Sequence, residues 1–206
     1  MTREPPYLIG IAGPSGAGKS FLSEHLAREL NNPAILPLDA YYPDLSHLSL
    51  DERNRLNFDD PALLDFPLLF SQVATLARGE TVQQPLYDFA HHTRMSETRV
   101  VAPSEFVIVE GLFALYWPDL RTLLQTRVYV DMNDGDCLER RIARDVQQRG
   151  RTTESVTKQF RESVAPMADL YVRPTAQFAD VKINGGGRIE QEVASVLAHV
   201  RGQRVR

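Results

Sequence analysis

The chain has 206 residues, 43% of them hydrophobic, with a formal net charge of −4. That length and apolar content suffice for one core with a small appended lid, so a single domain over residues 1–206 is expected. The acidic balance offers no global pull toward nucleic acid or anionic membrane, the lone Cys137 excludes an internal disulfide, and neither a bilayer-length apolar run nor a secretory signal is present.

A cytoplasmic protein without nucleic-acid or membrane partners is therefore expected. The first informative stretch follows the apolar run Tyr7-Leu8-Ile9. Gly13, Gly18, Lys19 and Ser20 occupy the fixed positions of a phosphate-binding loop, Gly13-Pro-Ser-Gly-Ala-Gly-Lys-Ser20, in a chain with only three lysines. The leucines of the next ten residues fall at helical spacing, which gives the order strand, glycine loop, helix. Such a loop aims backbone N–H groups, a helix N-terminus and one ammonium at polyphosphate oxygens, and its last hydroxyl reaches Mg2+. Ser15, Gly16, Ala17 and Phe21 complete the expected nucleotide contacts.

The run Ala34–Leu38 reads as a short buried strand that delivers Asp39 to its C-terminal end, where parallel α/β sheets bind ligands. An aspartate there can accept a hydroxyl proton or reach Mg2+ through water. It can equally be a turn or capping residue. Residues 41–57 are polar and weakly periodic. Asp60 before Pro61 predicts a helix start, with Leu63, Leu64, Leu68, Leu69 and Val73 as its apolar face. By themselves Asp59 and Asp60 read as caps.

Thr81–Tyr87 and Thr98–Val101 predict two short strands bracketing Asp88 to Arg94, a β-hairpin excursion over about residues 82–102 suited to substrate recognition. The adjacent His91 and His92 lack a cysteine or third histidine, so one exposed and one hydrogen-bonding histidine is expected rather than a zinc site. Glu105–Val109 is a buried strand ending on Glu110, which can orient the water shell of Mg2+ or cap the strand. Arg127–Asp131 feeds a helix carrying Leu138, Ile142 and Val146 on one face. The basic run Arg140, Arg141, Arg144, Arg149 and Arg151 can be a solvated face or a nucleic-acid patch. Near a phosphate loop, an arginine lid over about residues 140–160 is expected. A further helix over about 153–171, a strand over 178–183, a turn at Gly185-Gly186-Gly187 and a closing helix over 189–200 finish the chain. The expected fold class is α/β, a P-loop NTPase fold with a mostly parallel sheet and helices on both faces.

These pieces together resemble the uridine kinase family of the phosphoribulokinase/uridine kinase superfamily. The carriers are the phosphate loop, Leu38-Asp39-Ala40-Tyr41-Tyr42, Asn57-Phe58-Asp59-Asp60-Pro61, Pro85-Leu86-Tyr87-Asp88-Phe89 with His92 and Arg94, Val109-Glu110-Gly111, and the arginine run. The resemblance implies a kinase that moves the γ-phosphoryl group of ATP, or GTP, to the 5′-hydroxyl of uridine or cytidine. It implies Asp39 as base, Lys19, Arg141 and Arg144 acting on the phosphates, and Ser20, Glu110 and Asp39 serving Mg2+. It also implies Asp59, Tyr87, Phe89, His92, Arg151 and Gln159 contacting the nucleoside, and a homotetramer. Ala40 and Asp60 depart from the family's usual residues.

The main alternative is another small-molecule kinase of the superfamily, acting on a sugar phosphate, pantothenate or a pyridine nucleoside. Only the hairpin separates these readings. A regulatory nucleotide-binding protein is the other alternative, disfavoured because no Asn-Lys-x-Asp guanine-reading motif occurs.

Overall fold

In the computed structural model, which describes residues 4–204, alternate residues of the central strands serve opposite layers. In β1 (Tyr7–Ala12) and β5 (Phe106–Glu110), Leu8, Ala12, Val107 and Val109 enter one apolar cluster. Ile9, Ile11 and Ile108 enter the other. A strand buried on both faces reads as a continuous apolar run, and such strands require helices above and below.

Those helices are present. On one side lie α3 (Phe66–Ala77) and α4 (Pro118–Leu123), placing Leu69, Val73, Leu76 and Leu120 in the first cluster. On the other lie α1 (Lys19–Glu29) and α8 (Ile189–Arg204), contributing Leu22, Leu26, Val193, Val196 and Val200 to the second. With β2 (Ala34–Pro37), β6 (Thr126–Asp131) and β7 (Val181–Asn184), the strands form a five-stranded sheet in the order β2-β5-β1-β6-β7. Every pairing in it is parallel. The central β1 therefore releases the phosphate loop between β5 and β6, at the edge where such sheets open a ligand crevice. Among the described residues no helix is long and apolar enough to cross a membrane.

A separate two-stranded antiparallel ribbon pairs β3 (Val82–Asp88) with β4 (Thr93–Val101). The second strand begins at Thr93, five residues earlier than periodicity predicts. Most of β4 is exposed, so it has no apolar alternation to read. Arg94 thus lies in a strand, and its guanidinium donates to the Tyr41 and Tyr42 carbonyls and to Asp65 at 2.9–3.1 Å, pinning the ribbon to the chain leaving β2.

Other differences also have local causes. Asp60 caps only a 3₁₀ turn, Pro61–Leu63. The helix proper restarts at Phe66 with Asp65 accepting the Leu68 N–H, because Pro67 is tolerated only in a helix's first turn. A short helix, α2 (Leu50–Asn54), stands in the stretch without periodicity, closed by a reciprocal Ser49–Glu52 capping box. The predicted helix over 153–171 runs on to Phe178. It comprises α6 (Thr153–Gln159), a π turn at Phe160–Val164, α7 (Ala165–Met167), a second π turn at Ala168–Val172 and a 3₁₀ end at Arg173–Phe178. Pro166 and Pro174 lie inside this path, and wider or tighter turns accommodate their missing N–H groups.

The largest correction concerns α5 (Asp134–Arg149). The apolar face of Leu138, Ile142 and Val146 is only partly covered: Leu138 packs on the second cluster and Val146 is 41% exposed. The buried residues are Cys137, Arg141 and Asp145, also four apart. The helix turns its charged stripe inward because that stripe faces the crevice.

Candidate active site

The phosphate loop rises from β1 and is shaped by close packing. Gly16 holds φ at +89°, and a Cβ there would collide with the Cys137 carbonyl of α5, so only glycine lets loop and helix approach this closely. Gly185, in the turn after β7, presses on the Ala17 carbonyl in the same way. That glycine run is the expected turn, and its function is to back the loop.

A cleft of about 310 Å³ opens above the loop. Ser15, Gly16, Gly18, Lys19, Ser20 and Phe21 line one wall, and Asp39 and Glu110 stand at the strand ends facing them. Asp59, Tyr87, Phe89 and His92 form the other end, and Arg141, Arg144, Arg151 and Gln159 close over the top. Of the nucleotide and substrate residues expected from sequence, Gly13 and Ala17 do not line the cleft. Gly13 packs on the Val130 backbone, and the Ala17 side chain is fully buried. The cleft also includes Arg140 and Arg149 of the expected lid, and Tyr42, Phe58 and Leu112, to which the sequence reading gave no contact role.

Lys19 is buried and curls back to donate to the Pro14 carbonyl at 2.9 Å. Burial pulls its pKa down, opposed by the charges of Glu110 and Asp39. Such an ammonium, stripped of water by burial and with no carboxylate bonded to it, is ready for phosphate oxygens. Ser20 donates its hydroxyl to Glu110 at 3.2 Å, and burial pushes the Glu110 pKa up while Lys19 opposes it. Burial likewise raises the Asp59 pKa, against the neighbouring Arg141.

At the far end the walls are aromatic. Tyr42 meets Phe58 edge-on at 5.1 Å and Tyr87 at 5.5 Å, and Tyr87 meets Phe89 at 5.2 Å. His92 stacks on Phe58 at 4.8 Å. The Tyr87 hydroxyl is buried without a hydrogen-bond partner. The two histidines divide differently from expectation. His91 is both exposed and hydrogen-bonded, to Asp88 at 2.7 Å, while the half-buried His92 enters the cleft. Burial, then Arg149 and Arg151, hold the His92 pKa down, so it is a neutral donor and acceptor at neutral pH.

Over the cleft, Arg141 donates to Ser15 at 2.9 Å and to Gln159 at 3.1 Å. Arg151 donates to the same Gln159 oxygen at 2.5 Å. The arrangement sets a polyphosphate cradle beside a pocket with aromatic faces and two carboxylates, which is what in-line transfer to a small ring-bearing alcohol requires.

Known proteins point the same way. A model of the Phosphoribulokinase / Uridine kinase family matches residues 8–191. The chain is 40% identical over 199 residues to the uridine kinase of Vibrio cholerae serotype O1, covering 94% of this chain and 93% of that one. It is 39% identical over 198 residues to the uridine kinase of Clostridium perfringens strain SM101, covering 95% of each. Among solved structures, phosphoribulokinase from Rhodobacter spheroides superposes with a TM-score of 0.65 at 16% identity, over 88% of this chain and 71% of that one, a likeness of fold.

Proposed function

The chain belongs to the phosphoribulokinase/uridine kinase family, and on that premise we propose that it transfers the γ-phosphoryl group of ATP to the 5′-hydroxyl of uridine or cytidine. The observation that carries the proposal is that Lys19, Asp39 and the aromatic side chains Tyr87, Phe89 and His92 line one and the same cleft. GTP fits the same phosphate cradle as an alternative donor.

In this reading the donor phosphates lie along the loop N–H groups and Lys19, with Arg141 and Arg144 over the transferring group. Charge spread over the equatorial oxygens meets preorganised cations, which stabilises the transition state more than the ground state. A second hollow, of about 340 Å³, adjoins the loop between Phe21 and the Asn184–Gly187 turn, and gives the donor base a place beside its phosphates. Asp59 accepts from ribose hydroxyls. Its backbone N–H is held by Asn57 at 3.1 Å, and Asn57 in turn accepts from Ser163 at 2.9 Å. Tyr87, Phe89 and His92 hold the pyrimidine, while Arg151 and Gln159 close the lid side. Asp39 accepts the 5′-hydroxyl proton as the O–P bond forms.

The residues also suit Mg2+. Among the described residues no group of three or more His, Cys, Asp or Glu is arranged to hold a metal. Mg2+ needs no such cage, since it takes one or two carboxylates, substrate phosphates and water. Ser20 and Glu110 would hold it, with Asp39 reached through water, and the ion supplies charge neutralisation across the donor phosphates. A homotetramer is part of the reading, and light scattering on the eluted peak tests it.

The deciding experiment is an acceptor panel in a coupled ADP-release assay. Turnover with uridine or cytidine is expected. Turnover with a sugar phosphate or pantothenate and none with either nucleoside overturns the proposal.

A further inference from the structure

The Asp145 side chain is fully buried, and four guanidinium groups surround it. Arg144 makes the one close hydrogen bond, Nε to Oδ1 at 2.8 Å. Arg141 stands 3.5 Å away, Arg149 3.6 Å and Arg151 3.7 Å. Those three separations give Coulomb attraction without spending a donor. The Arg141 Nε and the Asp145 Oδ2 face each other with no hydrogen-bond partner of their own. Arg141 keeps its two other nitrogens for Ser15 and Gln159. The backbone agrees with this centre, since the Arg151 N–H donates to the Asp145 carbonyl at 3.2 Å and Gly150 ends the helix there in the left-handed region.

We propose that Asp145 is the positioning residue of the arginine lid, the buried carboxylate that gathers Arg141, Arg144, Arg149 and Arg151 over the cleft while taking a close hydrogen bond from Arg144 alone. All four arginines line the cleft, and without the carboxylate they would repel one another across a few ångströms of low-dielectric space. Arriving phosphate oxygens compete with Asp145 for the same cations, and Arg144 is the one that gives up a hydrogen bond to the carboxylate in turning to the donor. The inference rests on the phosphoryl-transfer reading for its kinetic consequence. The lid's organisation itself can be tested by polyphosphate binding.

The test is Asp145→Asn, which keeps volume and removes charge. Once folding is verified by circular dichroism and a melt, kcat with uridine is expected to fall at least tenfold. The KM for ATP should stay equal or lower, since the cleft gains net positive charge. Calorimetry with tripolyphosphate should likewise give binding no weaker than wild type. A kcat within twofold of wild type overturns the proposal. So does tripolyphosphate binding weakened tenfold, which is the signature of a merely structural helix end. Should the Asn variant not fold, Asp145→Glu keeps the charge but displaces it. Positioning then predicts a kcat lowered about threefold or more at unchanged ATP KM, and wild-type kcat contradicts it. If the wild-type protein phosphorylates no nucleoside, the functional reading fails, and tripolyphosphate binding weakened tenfold in Asp145→Asn still overturns the role given to Asp145.

Discussion

The His92 imidazole stacks on the Phe58 ring with centroids 4.8 Å apart and planes at 26°, joining the hairpin turn to the loop that carries Asp59. His92 holds φ at +49°, a left-handed conformation that costs a non-glycine residue about 1 kcal/mol. The stack, together with the Arg53 bond to the His91 carbonyl at 2.7 Å, keeps the turn in that conformation.

Replacing Phe58 by leucine should therefore loosen the nucleobase end while leaving the phosphate end alone. An aromatic contact of this kind is worth about 1 kcal/mol beyond its buried area, so the nucleoside KM is expected to rise about fivefold. Steady-state kinetics with each substrate varied in turn checks this, and an equal rise in the ATP KM contradicts it.

Asp39→Asn removes the proposed proton acceptor without changing volume. A positioned base contributes about 10²- to 10⁴-fold, so kcat should fall by about two orders of magnitude or more. ATP affinity, measured by calorimetry, should change little.

The pH dependence of stability follows from His92. Its folded pKa lies below the ordinary 6.5, so around and below that value the unfolded chain binds the proton more readily than the folded one. The His92 contribution is present above pH 6.5 and is lost as pH falls through the folded pKa. Urea midpoints for wild type and His92→Gln should converge as the pH is lowered from neutral. A gap that widens toward acid contradicts this.

Asp65 both caps α3 and accepts from Arg94 at 3.1 Å. Asp65→Ala is expected to cost about 1–2 kcal/mol in chemical denaturation. The nucleoside KM should also rise, because Arg94 anchors the ribbon that carries Tyr87 and His92.

The sheet was legible in the sequence because Tyr7–Ala12 and Phe106–Glu110 are buried on both faces and read as unbroken apolar runs. The phosphate loop was legible because its backbone geometry admits few residues, as Gly13 against the Val130 carbonyl illustrates. The orientation of α5 was not. An apolar stripe and a charged stripe share one helix there, and the contacts made by the inward one, Cys137 on Gly16 and Arg141 on Ser15 and Gln159, are all distant in sequence. Phe58 had no contact role in the sequence, because His92, the ring stacked on it, lies far along the chain. Asp145 resembles a helix surface charge, although its spacing of four from Arg141 and from Arg149 was a signal available in the sequence. The start of β4 was hidden because an exposed ribbon needs no alternation.

The most direct measurement is single-turnover transfer from γ-labelled ATP with uridine and with 5′-deoxyuridine as acceptors. Label should appear in UMP with uridine, while 5′-deoxyuridine remains unlabelled. Label on neither compound while ADP accumulates, or equal labelling of both, would contradict transfer to the 5′-oxygen.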